Sequence, residues 1–130
     1  MSTAFLTRAR LFNEVLVNAG GNSGNSPTLD LQHARANLHV SLRAASIAGA
    51  ADVKLEFQQS PDNTNWDGIA DNPDITSSTS TDKPDNREGY NEYTVPALLG
   101  RYVRFLVTGV GANPADTLVT LYAFWNEGRD

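Results

Sequence analysis

Several residue types that carry protein chemistry are missing from this chain of 130 residues or scarce in it. There is no cysteine, which excludes disulfides, thiolate zinc sites, iron–sulfur clusters and cysteine nucleophiles. Basic residues are few: 10 lysines and arginines stand against 15 acidic residues, for a net charge of −5. An acidic chain lacks the positive footprint of a general nucleic-acid binder and is poorly suited to an anionic membrane surface. We therefore expect neither nucleic acid nor membrane as a partner.

Long hydrophobic runs are absent as well. No apolar stretch approaches the roughly 18 residues that a membrane-spanning helix needs. Met1 is not followed by the basic region and apolar run of a secretory signal peptide, so we expect synthesis in the cytoplasm without one. The chain length suits a single domain that is large enough to bury a core.

What the sequence does contain is alternation. Apolar and polar residues alternate through 37–43, 52–58 and 102–107, which is the period of a strand with one buried face. Residues 118–125 are largely apolar on both faces, which predicts a strand that is central or covered on both sides. The side chains predicted to be buried in the core are Val40, Leu42, Val53, Leu55, Phe57, Val103, Phe105, Val107, Val119 and Leu121.

Weaker strand patterns occupy Arg8–Val17, Thr28–Leu31, Trp66–Ile69 and Glu92–Val95. About eight short strands, separated by turns rich in glycine, proline and asparagine, are typical of an all-β protein. We predict a single β-sandwich of antiparallel strands, either jelly-roll or immunoglobulin-like, with one long acidic loop at Asp71–Asn91.

Residues 1–26 are predicted to form an N-terminal arm or first strand and a flexible Gly/Asn/Ser linker, ahead of a β-sandwich domain over residues 27–130. Two interpretations of the strand are open. It is either an arm that adds to the sheet edge of a neighbouring molecule or the first strand of its own sandwich, which we favour. We expect deletion of residues 2–12 to leave the domain folded.

Few motifs in the sequence carry recognisable chemistry. His33 and His39 are six residues apart, or ~20 Å in an extended segment, so two surface histidines are a better interpretation than a metal pair. The acids between Asp62 and Glu92 lack the ligand spacing of a calcium loop, and calcium there remains the less favoured alternative. Neither a nucleophile elbow nor a Walker glycine loop occurs. We predict no catalytic residue, no cofactor, no metal and no small-molecule substrate.

The two tryptophans and an arginine-rich segment admit more than one role. Trp66 is predicted to pack in the core, with a sugar-stacking platform as the alternative. Trp125 covers either one end of the sandwich or an interface. In the segment Arg101–Arg104 we expect a local cation–π contact or a pair with a carboxylate of an acidic loop, and contact with an acidic neighbouring subunit is the alternative.

Two segments together carry a resemblance to a known class of proteins. Residues 53–66 form a strand followed by a Ser-x-Asp-x-x-x-Trp hairpin, and residues 100–108, Gly-Arg-Tyr-Val-Arg-Phe-Leu-Val-Thr, precede a Gly/Asn/Pro loop and the strand at 118–124. This pairing, over roughly residues 28–125, resembles small β-sandwich structural proteins of tailed bacteriophages, in particular capsid decoration (cement) proteins.

The resemblance implies a non-enzymatic virion structural protein on the outer surface of a capsid. It implies that the chain binds the major capsid protein, staples neighbouring capsid subunits and forms a homo-oligomer, with a trimer favoured. The alternative is a carbohydrate- or receptor-binding β-sandwich module, including a tail-associated one.

An interaction surface is predicted on the two segments that the strand pattern leaves unexplained, the N-terminal segment and the acidic loop. Because the loop is acidic, a partner that touches it should present lysine or arginine. The candidate residues are Phe5, Leu6, Arg8, Arg10, Phe12, Asp74, Asp82, Lys83, Asp85, Arg87, Glu88 and Trp125.

Overall fold

The computed structural model describes residues 3–18, 20–46, 52–76, 79–80, 89–96, 98, 100–110 and 116–129. In these residues the regular structure is almost entirely β, which confirms the predicted fold class. The strands are β1 Thr3–Val17, β2 Leu29–Asp30, β3 Ala34–Ser46, β4 Asp52–Ser60, β5 Thr79–Ser80, β6 Gly89–Thr94, β7 Tyr102–Val110 and β8 Thr117–Arg129.

Two four-stranded sheets face each other, with strand orders β1-β8-β3-β6 and β2-β7-β4-β5. Each strand in the first half of the chain pairs antiparallel with its mirror image in the second half: β1 with β8, β2 with β7, β3 with β6 and β4 with β5. The nested pairs form one long hairpin that folds so that its successive strand pairs alternate between the two sheets. The structure is therefore a jelly roll, which decides between the two predicted sandwich types.

The core lies between the two sheets. All ten side chains predicted to be buried there have exposures of 0% or 1%, which confirms the alternation pattern. Phe57 and Phe105 are directly opposite in the β4–β7 register, with ring centroids 6.5 Å apart. Aromatic cross-strand pairs of this kind stabilise a sheet beyond the area that they bury.

One predicted strand is wrong. Residues 66–68 are irregular, and Ile69–Asp71 form a single turn of 3₁₀ helix. The Asp71 carboxylate accepts a hydrogen bond from the Gly68 N–H at 2.8 Å. This local bond curls the segment and leaves no extended backbone to join a sheet.

β1 belongs to its own sandwich, as the favoured interpretation predicted. It pairs with β8 from Thr3 opposite Arg129 to Val17 opposite Thr117, and register shifts between Arg10 and Val15 mark β-bulges. Leu11 and Phe12 are buried in the core.

The glycine- and serine-rich segment after β1 runs along β7. The N–H groups of Ser23 and Ser26 donate to the carbonyls of Val107 and Phe105 on β7, both at 2.8 Å. The hydroxyls of the same two serines accept hydrogen bonds from the Val107 and Phe105 N–H groups, at 3.0 and 2.9 Å. Serine side chains thus take the place of ladder carbonyls and cover the edge of β7.

The acidic loop is described only in part. Residues 71–76 run back along β4, where the Ile75 N–H donates to the Leu55 carbonyl at 3.0 Å, and β5 follows at Thr79–Ser80. Residues 77–78 and 81–88 are outside the described residues. No helix in the described part of the chain has the length and hydropathy needed to cross a bilayer.

We expect Phe105→Ala to lower the free energy of unfolding by about 3–5 kcal/mol, because it empties a fully buried site opposite Phe57. Urea denaturation followed by circular dichroism measures the loss. The matched control is Leu106→Ala on the half-buried outer side of the same strand. Equal losses for the two variants would contradict the assignment of the strand faces.

Deletion of residues 2–12 should unfold the chain, contrary to the expectation from sequence. The deletion removes most of β1, exposes the edge of β8 and takes Leu11 and Phe12 out of the core. Thermal unfolding measured by circular dichroism tests this, with Leu6→Ala as a control at an exposed position of the same strand. A truncated chain that melts cooperatively at the temperature of the full chain would show that β1 is dispensable.

Candidate functional site

The strand register assembles a continuous surface on the side of the first sheet away from the core. It combines side chains from all four strands of that sheet, which are far apart in sequence. Its members in the described register are Leu6, Arg8, Arg10 and Leu16 of β1, Leu118, Thr120, Tyr122, Phe124 and Asn126 of β8, Arg35, His39, Ser41, Arg43 and Ala45 of β3, and Glu92 and Thr94 of β6. We call this surface the outer face.

Apolar and aromatic side chains lie in the open on the outer face. Two large hydrophobic side chains of the described residues are exposed, and both lie here: Leu6 is 72% exposed and Leu16 is 45% exposed. The Arg8 guanidinium lies 5.1 Å from the centroid of the Tyr122 ring. The rings of Phe124 and His39 stack, with their centroids 5.5 Å apart. Tyrosine, phenylalanine and arginine are the residue types enriched at protein–protein interfaces.

A small hollow sits in the middle of the outer face. It has a volume of about 260 Å³ and is lined by Arg8, Ser41, Glu92, Tyr122 and Phe124. Ser41 is 3% exposed, and its hydroxyl has no hydrogen-bond partner within the described part of the chain. A buried hydroxyl without a partner is energetically costly, so a polar group that enters this hollow gains a ready partner.

The outer face is basic although the chain as a whole is acidic. The register places Arg8, Arg10, Arg35 and Arg43 on it against Glu92 among the described residues. Arg35 lies across Gly128, where any β-carbon would collide with its side chain. Four of the eight arginines of the sequence therefore share one side of one sheet.

The predicted interaction residues are divided among several places. Leu6, Arg8 and Arg10 do lie together on the outer face. Phe12 and Trp125 are each 5% exposed and belong to the core, because their β1 and β8 positions point between the sheets. Asp74 is on the other sheet, 3.9 Å from Lys54.

Other candidates fall outside what is described. Phe5 lies in β1, but its side chain is outside the described part of the structure. Asp82, Lys83, Asp85, Arg87 and Glu88 lie outside the described residues, so the prediction for the acidic loop stays a prediction.

Sequence reasoning missed the half of the outer face that comes from β3 and β6. His39, Ser41 and Glu92 read individually as the polar positions of alternating strands. The available signal was β8, whose second apolar face, with Tyr122 and Phe124, indicated that something covers it.

A second cavity, of about 590 Å³, lies at one end of the other sheet. Trp66 lines it, and this residue is half-buried rather than part of the core, so the prediction of core packing is wrong. The Arg104 guanidinium covers one face of the indole ring at 4.1 Å from the centroid, and Arg104 Nε donates to Gln58 Oε1 at 2.9 Å. The remaining lining residues are Gln59, Ser60, Pro61, Asn65, Asp67, Asp71, Asn72 and Gly100. We call this space the Trp66 cavity.

A hydrogen-bond network fixes the wall of the Trp66 cavity. Asp67 accepts from the Gln59 N–H at 2.9 Å with one carboxylate oxygen and from Asn72 Nδ2 at 2.9 Å with the other. Gln59 Nε2 donates to Asn72 Oδ1 at 2.8 Å, and Gln59 Oε1 accepts from the Gly100 N–H at 2.6 Å. The loop is thereby tied to the ends of β4 and β7.

The turn that precedes Trp66 is held by Asp62. One carboxylate oxygen accepts from the backbone N–H groups of Thr64 and Asn65 at 2.9 and 2.8 Å, and the other accepts from Asn65 Nδ2 at 2.6 Å. Asn63 adopts a left-handed conformation with φ of 62°, which asparagine tolerates well. The N–H donors of Asn65 and then Thr64 hold the pKa of Asp62 well below its ordinary value.

The predicted local cation–π contact of the Arg101–Arg104 segment is confirmed, and the carboxylate pair is made with Asp30 of β2 instead of an acidic loop. Arg101 lies over the Tyr102 ring at 4.9 Å and makes a two-point pair with Asp30, with both N–O distances 2.8 Å. The Arg101 hydrogen bond lowers the pKa of Asp30 to about 2. Arg104 stacks instead on Trp66.

Metal binding finds no support in the described residues. No group of three or more histidine or carboxylate side chains comes together there. His33 is exposed, and His39 Nδ1 is 3.2 Å from the Thr94 hydroxyl. The absence of a metal or cofactor stays a prediction from sequence.

The Asp62 turn generates a pH prediction. Because the folded pKa of Asp62 is lowered, its stabilisation is fully present above the unfolded pKa of about 4 and is lost as pH falls through the folded value. Asp62→Asn should therefore lower the melting temperature at pH 6 and differ less from the native chain as pH falls below about 4. Asp74→Asn, at an exposed carboxylate, is the control. A gap that stays constant down to pH 2 would contradict this role of Asp62.

Comparison with known proteins identifies similar structures. No protein-family model matches the chain, and no curated protein matches it. Solved structures that are similar include the SPBc2 prophage-derived protein YomS, 17% identical over 96% of each chain with a TM-score of 0.46. PBSX exported protein XepA is 17% identical over 98% of this chain and 38% of that one, with a TM-score of 0.48.

The CBM22-1 xylan-binding domain of Paenibacillus barcinonensis Xyn10C is also similar. It is 13% identical over 97% of this chain and 81% of that one, with a TM-score of 0.51. At this identity the likeness shows a shared β-sandwich fold. The function must be argued from the chain's own surfaces.

Proposed function

We propose that this chain is a non-enzymatic virion structural protein, a capsid decoration protein that binds the outer surface of the shell through its outer face. The observation that carries the proposal is the basic, aromatic outer face, with Leu6 and Leu16 in the open and the buried Ser41 hydroxyl at its centre. The sequence resemblance to phage structural proteins supports the same conclusion.

The make-up of the outer face suits a flat protein surface as its partner. Tyr122 and Phe124 supply rigid apolar area, and Arg8 lies over the Tyr122 ring. The hollow beside them is small, with a volume of about 260 Å³. That volume is below the roughly 300–1,000 Å³ of typical small-molecule pockets, so side chains of a partner protein are the better occupants.

The charge of the outer face specifies the chemistry of the partner. Arg8 and Arg10 against Glu92 favour a surface that presents aspartate or glutamate. The occupant we infer is the major capsid protein, with carboxylates opposite Arg8 and Arg10. This sign is opposite to the one expected for a partner of the acidic loop, so the two regions contact different patches.

Attachment by many copies fits the stapling role. A homotrimer presents three outer faces, and simultaneous contacts multiply weak single affinities into high avidity. Each copy then bridges neighbouring capsid subunits without any single tight site.

Co-sedimentation of the purified chain with capsid shells that lack it tests the proposal. We expect the native chain to attach and to show regular density on the shell in electron micrographs. The double variant R8E/R10E and the single variant Tyr122→Ala should each attach about tenfold more weakly or worse. Attachment of the native chain should fall as salt rises through the screening range.

Arg101→Glu is the control for charge reversal elsewhere, because Arg101 lies just before β7 of the opposite sheet; it reverses one charge where R8E/R10E reverses two, and it breaks the pair with Asp30. Its attachment should equal that of the native chain. Failure of the native chain to bind shells would overturn the decoration role. Native-like attachment of both outer-face variants would overturn the outer face as the docking surface.

A further inference from the structure

The Trp66 cavity takes no part in the proposed capsid contact. It lies at the end of β4 and before β7, in the second sheet, whereas the outer face belongs to the first. Its volume of about 590 Å³ falls within the range of sites that hold small ligands. The cavity therefore calls for a separate explanation.

The walls of the cavity are fixed before any ligand arrives. Asp62 holds the turn, Asp67 ties the loop to Gln59 and Asn72, and Arg104 braces one face of the indole. Because the buried polar groups already satisfy one another, the network acts as a rigid frame. A rigid frame lowers the entropy cost of binding.

The groups left for a ligand are one aromatic surface and a polar rim. Trp66 lines the cavity, and Arg104, which lies over one face of its ring, is not among the lining residues. Asn65 and Asp71 are exposed at the rim. Within the described part of the chain, the side-chain carbonyl of Asn65 and the second carboxylate oxygen of Asp71 have no hydrogen-bond partner.

We propose that the Trp66 cavity binds a neutral saccharide, whose ring packs against Trp66 while its hydroxyls bond to Asn65 and Asp71. A sugar ring has an apolar face of C–H groups and an equatorial edge of hydroxyls, which matches one aromatic wall beside amide and carboxylate acceptors. The oxygens of Asn65 and Asp71 at the rim accept hydrogen bonds, and every sugar hydroxyl can donate one.

The negative charge around the Trp66 cavity favours a neutral saccharide over an anionic one. Asp67 and Asp71 line the cavity, and Asp62 lies in the adjoining turn, so an anionic sugar meets like charge at short range. A cationic ligand would need several aromatic walls to form a cage, and Trp66 is the one aromatic residue that lines this cavity in the described structure.

Titration of the full chain with defined oligosaccharides tests the inference. The neutral probes are cellohexaose, maltohexaose, mannohexaose and N-acetylchitohexaose, and a heparin hexasaccharide is the anionic probe. Isothermal calorimetry measures affinity, and tryptophan emission reports on Trp66, since Trp125 is 5% exposed. We expect at least one neutral probe to bind and to alter the emission, and the heparin probe to bind more weakly.

Three variants and one control locate the site. Trp66→Ala should weaken binding about tenfold or more, which corresponds to about 1.4 kcal/mol. Trp66→Tyr should retain part of it. Asp71→Ala should weaken it severalfold, and its melting temperature is measured alongside because the change also removes the bond to the Gly68 N–H. Tyr122→Ala on the outer face should bind saccharide as the native chain does, even where it fails to attach to shells.

Three outcomes would contradict the saccharide inference. Absence of binding to all four neutral probes at millimolar concentration would overturn the inference. Unchanged binding in both Trp66→Ala and Asp71→Ala, or a preference for the heparin hexasaccharide, would overturn it as well. These readouts do not involve capsid shells, so they stand or fall separately from the decoration role.

Discussion

The pairing of β8 with strands on both sides is the constraint on which the rest of the structure depends. It joins β1, from the start of the chain, to β3 across a single strand. Its inward side chains Val119, Leu121 and Ala123 are fully buried. Loss of the β1 partner would leave β8 with an open edge and the core without Leu11 and Phe12, so closure of the nested hairpin is what makes the sandwich stable.

The same strand explains why one sheet carries the binding surface. Because side chains alternate across a strand, the residues between the buried positions of β8 must point outward. Tyr122 and Phe124 occupy those outward positions, and Arg8 and His39 from the flanking strands pack on them. A large aromatic surface is thus held on the most firmly paired strand of the protein, where little movement is needed to present it.

The end of the second sheet is shaped mainly by hydrogen bonds within its loop instead of by strand register. There, short-range hydrogen bonds from Asp62 and Asp67 shape the loop, and the arginine of a distant strand braces Trp66. Asp67 and Asp71 line the cavity at this end, while Arg8 and Arg10 lie on the outer face of the other sheet. The two surfaces therefore differ in shape and in charge, and they select different kinds of partner.

The sequence by itself determined which side chains form the core, because alternation depends only on the period of a strand, and it also indicated a covered second face of β8. A local pattern failed where a hydrogen bond overrode propensity, as in the 3₁₀ turn after Trp66. Only the tertiary structure decided the jelly-roll order, the outer position of Ser41 beside Tyr122 and Glu92, and the stacking of Arg104 on Trp66. Those contacts join residues that are tens of positions apart, and their partners are chosen by strand register, which a single strand's pattern does not contain.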